Sequence, residues 1–284
     1  MNRAVVFAHY DIDNIIDQYV YIYLKELSKI SNYIVFVSTA YLTKKDIELL
    51  NKICAKVIIR DNLGYDFMSY KIGLESFDYL EYDEVIICND SVYGPFYPLK
   101  NVFHEMNNKQ CDFWGMTLGE ELSLHLQSYF LVCKKTVLLS SCFSDFWKDV
   151  KVLDNKRKII ETYEVGFSAK LLLQGFKLAS YAEYKPTFME KFTLKLRRVT
   201  FYKIFNKLIS FFDGRSVFQN SLSVNSTHQY WKELLLVSKM PFLKVELLRD
   251  NPLNIDILDF EDVIKKISNY DVSLIQKHLH RIKK

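Results

Sequence analysis

Six short runs rich in β-branched or aromatic residues punctuate the first 135 residues: Ala4–Ala8, Tyr33–Ser38, Lys56–Arg60, Glu84–Cys88, Phe113–Met116 and Tyr129–Cys133. Amphipathic stretches with helical spacing separate the early runs. They are Asn14–Ile30, a segment opened by Thr43 with Asp46 three residues on, and Asp66–Leu80. Strand and helix alternating at this spacing build βαβ units and a mostly parallel sheet. The expected fold class is therefore α/β, a Rossmann-type sheet flanked by helices. Ligands of such sheets bind beyond the carboxyl ends of the strands.

Beyond residue 150 the pattern turns mainly helical. Lys156–Gln174 reads as a helix interrupted near Gly166 and ending at Gly175, a C′ glycine. Lys191–Phe212 is a basic amphipathic stretch, and Ile255–Lys284 is a helical tail. The expected division is an α/β domain over 1–185 and a helical region over 186–284. Charge follows it: residues 1–185 carry 21 basic and 24 acidic side chains, residues 186–284 carry 17 and 10. A regional basic excess speaks to partners rather than to fold.

Composition and motifs exclude several classes. No apolar run approaches the roughly 18–20 residues that span a bilayer, and the amino terminus reaches polar residues too soon for a secretory signal. Five widely spaced cysteines without C-x-x-C argue against a zinc knuckle or disulfide framework and suit a reducing cytoplasm. Dinucleotide, P-loop, nucleophile-elbow and H-E-x-x-H signatures are absent from the sequence. His278-x-His280 reads as part of an exposed basic tail rather than a metal site. One modest basic patch without a recognition module does not suggest a nucleic-acid partner.

Three strand ends carry polar clusters: His9-Tyr10-Asp11, Arg60 through Asp66, and Asn89 through Pro95. Turn and capping needs use the same residue types, but three clusters on one sheet edge point to a site. An edge rich in Asp, Asn, Arg and Tyr suits a sugar nucleotide. The pyrophosphate needs positive charge, a metal or backbone N–H groups, and glycosyl transfer needs a carboxylate base.

The segments Arg60–Lys71, Asn89–Pro95, Asp112–Thr117, His125–Phe130, Tyr163–Ser168, Asn225–His228 and Pro241–Pro252, taken in order, resemble the rhamnan synthesis protein F family. The resemblance runs from about His9 to Pro252. It implies a glycosyltransferase-A-like fold and a role in building rhamnose-containing surface polysaccharide. It further implies a nucleotide-diphosphate-sugar donor, with dTDP-rhamnose a candidate, and a lipid-linked glycan acceptor at the inner face of the cell membrane.

Carried across by residue, the resemblance makes His9, Tyr10, Asp11, Arg60, Asn62, Gly64, Asp66, Asn89, Asp90, Gln127 and Ser128 candidates for binding the nucleotide sugar. Arg60 is a candidate phosphate contact, and Asp66 has a second reading as the cap of the next helix. Asp90 and His228 are candidate ligands for a divalent Mg or Mn ion. Asn89-Asp90-Ser91 sits where glycosyltransferase-A enzymes place an Asp-x-Asp metal motif, and departs from it in offering one carboxylate, not two. Glu164 is the candidate general base of an inverting reaction, with Glu161 as the fallback. The stretch 191–212 either lies on an anionic membrane or packs its apolar face on the core. Two rival functions stay open: a non-catalytic sugar-nucleotide or glycan-binding subunit, and a methyltransferase or phosphotransferase on a related sheet.

Overall fold

A computed structural model describes residues 1–119, 123–185, 187 and 225–283. The expected stretch 191–212 lies outside the described residues. Eleven strands are described: β1 (Arg3–His9), β2 (Tyr33–Ser38), β3 (Lys56–Ile59), β4 (Glu84–Asn89), β5 (Val92–Tyr93), β6 (Phe113–Gly115), β7 (Leu118–Gly119), β8 (His125–Leu126), β9 (Phe130–Lys134), β10 (Leu178–Ser180) and β11 (Leu243–Lys244). Seven of them form one sheet in the order β10-β6-β9-β4-β1-β2-β3. β1 pairs in parallel with β2 and β4, and β9 is antiparallel to both β4 and β6. This is the mostly parallel α/β sheet flanked by helices that the sequence pattern predicts.

The six sequence runs all become strands of this sheet, and the central ones bury both faces, whereas the edge strand β3 is only partly buried. Along β1, Val5 and Phe7 join one core, and Ala4, Val6 and Ala8 join the other. The period of two directs alternate side chains to opposite faces. Three βα connections follow as expected, with helices α1 (Gln18–Leu27), α2 (Lys44–Leu50) and α3 (Tyr65–Leu74). Thr43 and Asp46 form a reciprocal capping box at α2. The expected 66–80 helix ends at Leu74, and a 3₁₀ turn, Tyr79–Glu81, follows. Lys156–Leu173 is helical throughout its described length, with a π-helical turn at Ile160–Val165 just before Gly166.

The described carboxyl-terminal residues, 225–283, do not build a core of their own. Trp231, Leu234, Leu235, Leu247, Leu248, Ile264 and Ile275 join the core that contains Val5, Phe7 and α1. β11 pairs antiparallel with β5, setting Lys244 opposite Val92 and Leu243 opposite Tyr93. The approach is close at Gly94, whose φ is +125° and where an added Cβ would lie 2.3 Å from the Pro241 carbonyl oxygen. A side chain there would push the ribbon apart.

The tail differs from its sequence reading. His278 lies on the helix Ser273–Ile282 and is buried, with its Nδ1 2.7 Å from the Tyr93 hydroxyl; His280 alone of the pair is exposed. Helical periodicity accounts for the difference, since only one of two positions two residues apart can face the core. All five cysteines are buried and unbridged. No helix among the described residues is long and apolar enough to cross a membrane.

Gly73 lets α3 lie directly on the sheet, for a Cβ there would meet Val6 Cγ1 at 2.3 Å and Val37 Cγ2 at 3.2 Å. Gly73→Ala is expected to cost about 1–3 kcal/mol by overpacking. Gly166→Ala, whose nearest neighbour would be Glu161 O at 3.7 Å, should be neutral or stabilising by up to about 1 kcal/mol. Urea denaturation of the two variants checks the contrast.

Candidate functional site

The carboxyl ends of β1 and β4 lie side by side, and their loops are tied together. The Tyr10 amide donates to Asp90 Oδ2 at 2.9 Å, and the Tyr19 hydroxyl donates to the Asp90 carbonyl at 3.0 Å. Beneath them His9 is buried, with Nδ1 2.9 Å from Ser38 Oγ and Nε2 3.8 Å from Asp90 Oδ2. Burial pushes the His9 pKa down to about 4. At neutral pH its ring is an uncharged support for the loop rather than a surface contact. The Tyr10 ring is half exposed.

Two of the expected nucleotide contacts carry structural bonds, Arg60 within its own loop and Asp11 to both its loop and the last helix. Arg60 donates from Nε to Ser69 Oγ, from Nη1 to the Asp61 and Leu63 carbonyls, and from Nη2 to the Tyr65 carbonyl, at 2.6–2.9 Å. Four of its five N–H groups are thereby used, so Arg60 shapes the β3–α3 loop and keeps one N–H for any other partner. Asp11 accepts from the Asp13 and Ile15 amides through Oδ1, and both oxygens take Arg281. Arg281 also pairs with Asp13 at 2.7 Å and with Asp17. Burial pushes the Asp11 carboxyl up, but the guanidinium and amides outweigh it and hold the pKa below the ordinary value. This network anchors the carboxyl-terminal helix to the loop after β1. Asn62 is exposed, with no side-chain bond of its own among the described residues.

Asp66 and Asn89 face each other. Asn89 Nδ2 donates to Asp66 Oδ2 at 2.8 Å, while Asn89 Oδ1 takes both the amide and the hydroxyl of Ser91. Asp66 is not the helix cap; Gly64, at φ +74°, holds that position. Burial raises the pKa of both Asp66 and Asp90, and each feels the other's charge or a neighbouring carboxylate.

On the antiparallel side, Ser128 precedes β9. Its amide donates to Glu164 Oε2 at 2.8 Å, its hydroxyl donates to the same oxygen, and its carbonyl accepts the Tyr70 hydroxyl. Glu164 Oε1 lies 3.6 Å from His125 Nε2. Burial pushes the Glu164 carboxyl up. His125, the two Ser128 donors and the Lys244 charge overcome that and bring its pKa below the usual value. Glu164 is thus an ionised carboxylate, 17% exposed, on a π-helical turn. Such turns commonly re-aim a side chain at functional sites. Glu161, by contrast, pairs with Arg157 on the exposed side of the helix. Gln127 is buried, accepting from Thr117 Oγ1 at 2.6 Å and donating to Asn225 Oδ1 at 3.3 Å.

Asn225 caps the short turn that carries His228. His228 is 2% exposed, its Nε2 has no hydrogen-bond partner among the described residues, and Glu246 Oε2 is 3.8 Å away. Burial lowers its pKa.

Lys244 is the residue that sequence reasoning missed. It lies on β11 beside the Asn89-Asp90-Ser91 loop, where the Val245 amide donates to the Ser91 carbonyl at 2.9 Å. Its Nζ sits 4.0 Å above the Tyr129 ring. Burial pulls its pKa down to about 8, against the opposing charges of Glu164, Glu246 and Asp66.

The donor set does not make a protein-held cation site from Asp90 and His228. Among the described residues, Asp11, Asp17 and His278 are the group that brings three His, Cys, Asp or Glu ligand atoms within 4.8 Å of one another, and Arg281 already engages its carboxylates. Asp90 offers one carboxylate, half of it committed to Tyr10, and Asn89 Oδ1 is taken by Ser91. Divalent ions want several hard oxygen ligands, which these residues do not assemble by themselves.

A family profile described as rhamnan synthesis protein F matches residues 34–228, more than half of the chain. The chain belongs to the rhamnan synthesis protein F family. The virulence protein VirA of Vibrio anguillarum is 28% identical over 209 residues, 72% of this chain and 65% of that protein. The chain thus spans somewhat under two thirds of that relative's length. The uncharacterized protein y4gN of Sinorhizobium fredii is 26% identical over 153 residues, 52% of this chain and 40% of that one. Among solved structures, S. aureus TarS is similar at 13% identity with a TM-score of 0.44, covering 97% of this chain and 54% of TarS. The glycosyltransferase GlyE of Streptococcus pneumoniae TIGR4 is similar at 16% identity with a TM-score of 0.42, covering 99% of this chain and 64% of GlyE.

The buried His9 gives the loop a pH signature. Its folded pKa of about 4 lies below the ordinary 6.5, so the unfolded chain takes up the proton first as pH falls. The stability it contributes is complete above about pH 6.5 and is lost as pH drops towards 4. Between pH 7 and pH 5 this group should remove roughly 2 kcal/mol. Urea titrations at the two pH values should show a loss smaller by that amount for His9→Gln than for the wild type.

Proposed function

We propose that the chain is a glycosyltransferase of surface-polysaccharide synthesis, moving a sugar from a nucleotide-diphosphate donor to a hydroxyl of a growing glycan. The observation that carries this reading is Glu164, an ionised carboxylate held by Ser128 and His125 at the sheet edge where the Asp90 loop also lies. Family membership supports the same reading. The donor sugar is proposed to be rhamnose or another deoxyhexose, with dTDP-rhamnose the first candidate, and the acceptor a lipid-linked glycan. The basic stretch 191–212 is proposed to meet the inner membrane surface where that acceptor resides.

In the proposed reaction Glu164 accepts the proton of an acceptor hydroxyl. The hydroxyl oxygen forms a bond to the anomeric carbon as the bond from that carbon to the diphosphate oxygen breaks. The nucleoside diphosphate departs with the electron pair, and the anomeric configuration inverts. Ser128 and His125 fix the direction of the carboxylate before substrate arrives, so little reorganisation is left for the transition state. The low pKa keeps Glu164 ready to accept a proton at neutral pH, and transfer of its hydrogen bonds to substrate would raise its basicity.

A second reading is favoured by one observation, the lone carboxylate of Asn89-Asp90-Ser91: a subunit that binds the sugar nucleotide without turning it over. Glu164→Gln separates the two. Transfer to an oligosaccharide acceptor should fall by about a hundredfold to ten-thousandfold, the usual contribution of a general base, while nucleoside-diphosphate binding stays within a few-fold. Wild-type turnover in a folded Glu164→Gln protein would reject Glu164 as the base. Binding without turnover in the wild type, across donors and acceptors, would favour the subunit.

A further inference from the structure

A diphosphate entering this edge meets carboxylates: Asp66, Asp90 and Glu164 all influence one another or the same neighbours. Some positive charge must accompany it, because like charges in a partly buried site repel far more strongly than in water. Asp90 and His228 do not gather a cation site of their own, and Arg60 gives four of its five N–H groups to its own loop. Among the described residues, Lys244 is the basic side chain left in the middle of the cluster. None of the hydrogen bonds or ion pairs of the described residues uses its Nζ, which rests on the Tyr129 ring instead. An ammonium half buried among carboxylates yet contacting none is held for an anion that arrives later.

Its placement agrees. β11 hangs on β5 immediately after Ser91, so the Lys244 backbone borders the Asp90 loop. The tip reaches Tyr129, whose carbonyl accepts the Asn89 amide at 3.3 Å and whose neighbour Ser128 holds Glu164. The cation therefore rests on the residue next to the one that holds the proposed base, and its own strand borders the loop after β4. We propose that Lys244 is the counter-charge for the donor's diphosphate, and that it lets the site bind a nucleoside diphosphate without a divalent metal. This rests on the glycosyltransferase reading of the site and names what stabilises its leaving group.

Isothermal titration of the whole chain with UDP, dTDP, GDP and CDP, each in EDTA and then in excess Mn or Mg, tests the proposal. One nucleotide should bind the wild type in EDTA with a Kd within about threefold of its value in metal. Lys244→Met should weaken that diphosphate by about tenfold or more, the loss of a charge-assisted contact, and leave the matching uncharged nucleoside unaffected. Lys244→Arg should retain most of the affinity. Binding by the wild type that requires metal, or equal binding by wild type and Lys244→Met, would overturn the role of Lys244 while leaving the donor site standing. Failure of all four nucleotides to bind the wild type under either condition would instead overturn the glycosyltransferase reading itself. If Lys244→Met does not fold, as judged by circular dichroism, the wild-type comparison with and without metal decides.

Discussion

The hydrogen bonds that Ser128 gives to Glu164 hold the candidate site together. They join a π-helical turn to the start of β9, the antiparallel strand between β4 and β6. The same short segment is pinned from two other directions, by the Tyr70 hydroxyl on the Ser128 carbonyl and by the Asn89 amide on the Tyr129 carbonyl. The carboxylate, the Asp90 loop and the helix carrying Asp66 are thereby fixed to one another through a stretch of two residues. A buried polar network of this kind specifies one arrangement when its members are satisfied. Tyr163 and Ser168 support it from behind, Tyr163 by exchanging hydrogen bonds with Lys151 and Ser168 by accepting the Leu126 amide.

Charge is balanced around this frame by two separate devices. Near the end of β1, Arg281 satisfies Asp11, Asp13 and Asp17 outright, and the bridge docks the last helix onto the loop that supports Asp90. Around Glu164 the balance is left incomplete. Burial lifts Asp66 and Asp90 towards protonation, hydrogen bonds keep Glu164 ionised, and Lys244 answers these charges from a distance. The first arrangement builds structure; the second has the unequal carboxylate environments that suit different chemical roles.

How legible this was in the sequence depended on the range of each interaction. The central strands stood out because strands buried on both faces read as uninterrupted apolar runs. Thr43 with Asp46 announced a capping box, and Gly166 marked the place where the helix changes its winding. Glu164 could be singled out through the family resemblance of its segment, beside that change. Lys244 could not: its importance comes from a two-residue ribbon joining residues about 150 positions apart, and Lys-Val-Glu-Leu-Leu alone suggests only a surface helix. Arg60 and Asp11 show how far local roles were hidden. Site residues and structural residues use the same side chains, and only the distances to carbonyls and to Arg281 reveal that Arg60 organises its loop and Asp11 anchors the last helix. The burial of His278 depended on which face of the tail meets the core.

The most direct test of the whole account is a crystal structure of the chain grown with its tightest-binding nucleoside diphosphate. The account predicts the nucleotide across the carboxyl ends of β1 and β4, with a diphosphate oxygen within hydrogen-bond reach of Lys244 Nζ and the sugar side open towards Glu164. A nucleotide bound elsewhere on the fold, or one whose diphosphate turns away from both Lys244 and Glu164, would contradict it.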